Sequence, residues 1–217
     1  MNKMVLFLAS LLLYSLSSAA QSRETKVIDF RYQQISQSEP QTVGGSIQTL
    51  PGHEGPRVTE TLVLKISDLM ITQGSESAAD YKLQIMNNGS QPVAVPITQE
   101  LASLYAPEEL TQVDFDCLSF SFTWDSAKEG ARNLPAAIVL YGRKDRPWSF
   151  LNLQPGYWVT IRGRVNLPSQ PTKQEGNLQA NALFAVMKYR PTPKGLVLDW
   201  TIIKDLQSDK VALPATR

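Results

Sequence analysis

The sequence predicts an all-β fold, two antiparallel sheets packed face to face with one short helical insert. Three observations predict it: short segments of alternating apolar and polar residues recur from Thr61 to about Gln207, turn formers separate them, and no helices intervene at βαβ spacing. Each such segment offers one face to a core and one to water, so a chain built of them folds by stacking sheets. With 14 Pro, 12 Gly and one Cys in 217 residues, the composition excludes a collagen-like chain, a wholly disordered one and a disulfide-stapled miniprotein.

Residues 1–20 read as a secretory signal peptide, with one charge at Lys3, an apolar run from Val5 to Leu16, and the small residues Ser18-Ala19-Ala20. The run is shorter than the roughly 20 residues that span a bilayer, so no transmembrane anchor is expected after cleavage and the expected location is secreted or periplasmic. Residues 21–57 are expected to form an N-terminal arm and linker. Ile28, Phe30 and Tyr32 alternate as one short strand would, while Pro40, Gly44-Gly45, Pro51-Gly52 and Gly55-Pro56 predict loop from Ser36 to Pro56.

The sandwich domain is expected over 58–207. Leu62, Leu64 and Ile66 alternate with Val63, Lys65 and Ser67, and Leu69 and Ile71 continue in the opposite phase, as a β-bulge near Asp68 would produce. Tyr81, Leu83 and Ile85, then Val93, Val95 and Ile97, flank Asn87-Asn88-Gly89-Ser90-Gln91, which predicts a hairpin whose second strand Pro92 and Pro96 push to an edge. Thr98 to Leu110 is the helical candidate, with Leu101, Leu104 and Tyr105 on one side and Pro107 at a first helical position. Five further segments complete eight strands: Leu118 to Trp124, then Ile138 and Leu140, Val159 to Val165, Leu183 to Tyr189, and Leu196 to Ile202. This set favours an immunoglobulin-like sandwich, a closed barrel being the alternative that buries the same alternate residues. Residues 208–217 are expected to form a flexible tail.

Without residues 1–20 the formal charge is zero, which argues against a nucleic-acid partner. The distribution is uneven: residues 21–110 hold 6 Lys or Arg against 11 Asp or Glu, and residues 111–217 hold 14 against 9. Catalytic signals are sparse. One His (His53) and one Cys (Cys117) cannot build a His- or thiolate-based zinc site, and the carboxylates beside Cys117 oppose a reactive thiolate. Asp114, Asp116 and Asp125 would serve a metal or a hydrolase only by converging in a cleft, and no calcium-loop pattern accompanies them. No metal, cofactor or enzymatic activity is therefore expected.

The candidate binding residues are Trp148, Tyr157, Trp158, Arg162 and Arg164. If Val159 and Ile161 point inward, Trp158 points outward with Thr160 and Arg162, either as a contact for a partner or packed beneath a loop or the N-terminal arm. Arg143, Lys144 and Arg146, with Lys188 and Arg190, add a basic character to the same region. Asn88-Gly89-Ser90 matches the N-glycosylation acceptor pattern.

Two stretches carry a family resemblance. Tyr81 to Ile97, a strand ending in Asn, a polar turn and a short Pro-Val strand, resembles the strand–turn–strand of bacterial immunoglobulin-like domains. Leu153-Gln154-Pro155-Gly156, followed by the alternation from Trp158 to Val165, is similar to their Leu-x-Pro-Gly lead into a late strand. The bacterial intracellular proteinase-inhibitor family has this general design. The resemblance implies a β-sandwich and carries over no inhibitory residue. The expected function is a non-enzymatic exported module that binds an envelope or secreted protein; the alternative is a carbohydrate-binding module or cell-wall lectin that stacks sugars on Trp148, Tyr157 and Trp158.

Overall fold

The computed structural model describes residues 23–31, 39–49, 61–72, 77–126, 130–167 and 176–213. The expected signal peptide and His53 lie outside them. The chain is an all-β sandwich. The first sheet is ordered β1 (Glu24–Asp29), β9 (Trp158–Asn166), β4 (Ala78–Asn87), β3 (Leu62–Thr72). The second is ordered β2 (Thr42–Thr49), β11 (Gly195–Gln207), β10 (Asn177–Thr192), β6 (Asp114–Ser126), β7 (Gly130–Gly142), and β12 (Val211–Ala212) also pairs with β10. A separate two-stranded ribbon joins β5 (Val93–Pro96) to β8 (Phe150–Leu153). No helix among the described residues is long and apolar enough to cross a membrane.

The alternation in the sequence becomes the core. Leu62, Leu64 and Ile66 of β3, Leu83 and Ile85 of β4, and Val159 and Ile161 of β9 meet Leu118, Phe120, Phe122 and Trp124 of β6 and Leu178 to Ala182 of β10 between the sheets. The phase slip in β3 is a bulge between Ile66 and Asp68, which turns Leu69 and Ile71 back toward the core. Strand β6 is buried on both faces, because Phe115 and Cys117 pack into a second cluster with Leu101, Leu104, Leu110, Tyr141, Met187 and Tyr189. That cluster explains the insert between β5 and β6: it lays apolar side chains over the outer face of the second sheet. Its regular piece is one 3-10 turn, Leu101–Leu104, rather than the α-helix suggested by the spacing.

Three expectations are corrected. The Asn87–Gln91 segment does not close a hairpin, since β4 pairs with β3 and β9 whereas β5 pairs with β8. Asn87, fully buried, makes the corner instead. Its side-chain amide donates to the carbonyls of Gln91 (2.8 Å) and Leu153 (2.9 Å), and its oxygen accepts from the Gly89 N–H (2.9 Å). The chain thus leaves one ribbon for the next, because the side chain supplies the bonds that a turn's backbone otherwise makes.

The arm is not all loop. Strand β1 runs parallel to β9 with Ile28 in the core, and β2 runs parallel to β11. Both neighbours lie far along the chain, as parallel pairing requires. The glycines of β2 are tolerated because it is an exposed edge, and one is needed: a Cβ on Gly45 would sit 2.3 Å from the Leu198 carbonyl oxygen.

Residues 208–213 belong to the fold. The Ser208 hydroxyl accepts the Ala180 N–H at 2.9 Å, β12 pairs beyond it, and Leu213 is buried in the core. A short polar stretch with no alternation hid this edge.

Candidate binding groove

The sequence-predicted site residues divide into two places. Trp158, Arg162 and Arg164 do share the outward face of β9, opposite the buried Val159, Ile161 and Val165. Trp158 is half-buried there beside Met86. Arg164 bridges Asp80 at 2.7 Å and Lys82 bridges Asp68 at 2.7 Å, while the Arg162 charge acts on Asp29 but its Nε, like the Trp158 Nε1, is buried without a hydrogen-bond partner among the described residues. Arg164 and Lys82 hold the carboxyls of Asp80 and Asp68 below their ordinary range, as exposed bonded pairs do. This face is a balanced charge lattice, not a basic patch. Trp148, 57% exposed in the 3-10 turn Pro147–Ser149, stands at one end of β8 and Tyr157 follows the other, so the aromatics form no continuous platform along that strand.

The expected basic loop is also divided. Arg143 is buried and acts as a clamp, with Nη1 donating to the Leu104 carbonyl (2.9 Å) and the Glu109 carboxylate (2.7 Å) and Nε donating to Asp145 (2.6 Å). It fastens the insert to the end of β7. Lys188 and Arg190 pair with Asp114 and Asp199 respectively. Lys144, by contrast, is exposed and makes no ion pair among the described residues.

The Arg143 clamp predicts a pH response. Arg143 and the Ala106 N–H hold Glu109 down to about 2, below its ordinary value near 4.5. A depressed folded-state value means that this bond stabilises the fold above about pH 4.5 and is lost as pH falls toward about 2. Amide protection factors across residues 98–113, which correct for the slower intrinsic exchange at low pH, are expected to fall on acidification through that window, and Arg143→Ala is expected to show the low protection already at pH 7. Equal protection in the variant at pH 7 would mean that apolar packing alone holds the insert.

The acids do not converge. Asp114 and Asp125 stand at opposite ends of β6, roughly 35 Å apart for eleven residues of extended chain, and bridge Lys188 and Lys210. No group of three potential metal-ligating side chains occurs among the described residues. Cys117 is a buried structural thiol, pushed up by burial and by the charges of Asp116 and Glu39.

Asp116 is different, because it lines a groove that sequence reasoning missed. The groove, about 630 Å³, runs between the β5–β8 ribbon and the start of β6 with the middle of β10 and β11. Ligand sites typically enclose roughly 300–1,000 Å³. Alternation builds one wall: Val93, Val95 and Leu153 turn into the core, so Ala94, Phe150 and Asn152 turn the other way and line the groove with Pro92 and Pro96. The Phe150 ring lies over Gly142, where a Cβ would come within 2.5 Å of the ring tip. Ser149 sets up that placement, accepting the Arg143 N–H (2.9 Å) and donating to the Arg146 carbonyl (2.6 Å). Phe184 and Ile203 form the opposite wall. Ile203 reaches it because it is the unpaired residue of a bulge between the pairs Phe184–Lys204 and Ala185–Ile202.

Three polar side chains meet this apolar surface: Asp116, Lys144 and Asn152. None makes a side-chain hydrogen bond or ion pair within the described residues. Burial raises Asp116 above the ordinary carboxylate range, while the Lys144 charge pulls it back and the Asp114 charge adds to the rise. An apolar groove edged by polar groups that make no hydrogen bond within the fold can bind an apolar body and orient it by a few hydrogen bonds.

No family model matches the chain, and no curated protein does. Among solved structures the chain is similar to an ApaA protein from Bordetella pertussis, with 13% identity over 71% of this chain and 97% of that one and a TM-score of 0.31.

Proposed function

We propose that the protein is a non-enzymatic binding module that holds an apolar segment of a protein partner in the groove between the β5–β8 ribbon and the second sheet. One observation carries this reading: the 630 Å³ apolar groove is edged by Asp116, Lys144 and Asn152, whose side chains make no hydrogen bond or ion pair in the described fold. An extended segment presents N–H and C=O groups in alternation, which match an acceptor, a donor and an amide, while its side chains cover Phe150, Phe184 and Ile203. The stretches that resemble the bacterial proteinase-inhibitor design, Tyr81 to Ile97 and Leu153 to Val165, include β5 and the last residue of β8. The exported location expected from residues 1–20 would place the partner in the envelope or the secreted fraction.

The test is an array of octapeptides differing in apolar content, probed with the intact chain. Binding concentrated on apolar peptides is the expected result. Binding that follows peptide charge alone, or a varied glycan panel that binds in place of every peptide, would overturn the reading.

A further inference from the structure

A carboxylate partly withdrawn from water and lacking a hydrogen-bond donor is a group that a donor from outside the chain can satisfy. Asp116 is half-buried, lines the groove and makes no hydrogen bond or salt bridge among the described residues, with only the Lys144 charge acting on it from a distance. It stands on β6 between the paired Asp114 and the buried Cys117, opposite Gly142 of β7 and Val186 of β10, neither of which has a titratable side chain. Across the groove, Lys144 is the one charged residue of the lining besides Asp116 itself; Pro92, Ala94, Pro96, Phe150 and Asn152 on the ribbon carry no charge. A carboxylate in this position has an apolar wall on one side, an open groove on the other, and no donor within the described fold.

We infer that Asp116 anchors the bound segment by accepting a hydrogen bond from one of its backbone N–H groups, and that loss of the Asp116 charge releases the segment. This rests on the groove reading above and names the group that reads the ligand's main chain. An N–H donated to an ionised acceptor is shorter and stronger than a neutral bond, and the apolar walls keep competing water away. Protonation removes the charge that strengthens this bond and leaves only a neutral carbonyl oxygen to accept it. Binding therefore follows the ionised form, rising as pH rises through the titration of Asp116 and falling below it. Burial raises that titration from the ordinary aspartate value, with the Lys144 charge opposing the rise.

The probe is the array peptide that binds the wild-type chain most tightly, labelled with fluorescein, together with copies N-methylated at each backbone amide in turn. Anisotropy titrations at pH 7.5 and pH 4.5 use wild type, Asp116→Asn, Asp116→Ala and Lys144→Gln. The wild type is expected to lose at least fivefold in affinity at the lower pH, whereas both Asp116 variants bind weakly and nearly equally at the two values. Lys144→Gln keeps the pH dependence. One N-methylated peptide is expected to lose about tenfold against wild type and little against Asp116→Ala, the non-additivity that marks a direct contact. Because the carboxylate has no partner in the free protein, Asp116→Asn is not expected to lower the unfolding midpoint, so a folding defect does not explain weak binding. Peptide binding that ignores pH, or N-methyl losses that are the same in wild type and Asp116→Ala, would overturn the Asp116 assignment while leaving the groove reading in place. Absence of peptide binding altogether would overturn both.

Discussion

Asn87→Ala is expected to lower the stability of the fold by about 2–4 kcal/mol, as a loss of midpoint in urea or on heating. The side chain is fully buried and makes three bonds, to Gln91, Leu153 and Gly89, at the one corner where β4 passes into β5 and β8 passes into β9. Alanine leaves the buried Leu153 carbonyl without that donor and frees the 88–92 segment. Asn87→Asp is a sharper control, because it keeps the oxygen that accepts the Gly89 N–H but loses the two donated bonds and buries a charge. It is expected to be no more stable than the alanine variant at neutral pH. A midpoint unchanged in both variants would show that apolar packing alone fixes the ribbon.

The largest functional effect is expected from Ala94→Trp. Ala94 is exposed, its neighbours Val93 and Val95 are the ones that enter the core, and its small side chain is part of the groove wall. An indole there occupies the volume that a bound segment needs without touching the packing between the sheets. Affinity for the array's tightest apolar peptide is expected to fall at least fiftyfold, with the unfolding midpoint within about 0.5 kcal/mol of wild type, as for surface substitutions generally. Trp158→Ala together with Arg162→Ala is the matched comparison on the other face and is expected to leave peptide affinity unchanged. The reverse pattern would move the site to β9.

Much of the fold was legible because half-buried strands write themselves as period-two alternation. The bulge at Asp68, the buried phase of β6 and β9, and the outward direction of Trp158 and Arg162 all followed from that signal. What it missed has a shared cause. Strands β2 and β12 bury few side chains of their own and are held by backbone pairing and single contacts such as Gly45 and Ser208, which leave no pattern in the sequence. The Asn87 corner looked like a hairpin because local turn chemistry does not say which strands it joins. The groove was invisible for a related reason: Ala94, Asp116, Lys144, Phe150 and Ile203 come from five separate segments and meet through a broken ribbon and a bulge. In the sequence, Asp116 was one of three acids beside a cysteine, Lys144 one of a basic trio. Only packing separates Asp116 from Asp114 and Asp125, and Lys144 from the clamped Arg143.

The most direct test of the groove as the binding site is an amide chemical-shift map of the 15N-labelled protein titrated with its tightest apolar peptide. The largest changes are expected at Ala94, Asp116, Lys144, Asn152 and Ile203, with little movement along the outer face of β9. Changes centred instead on Trp158, Arg162 and Arg164, with the groove amides still, would contradict it.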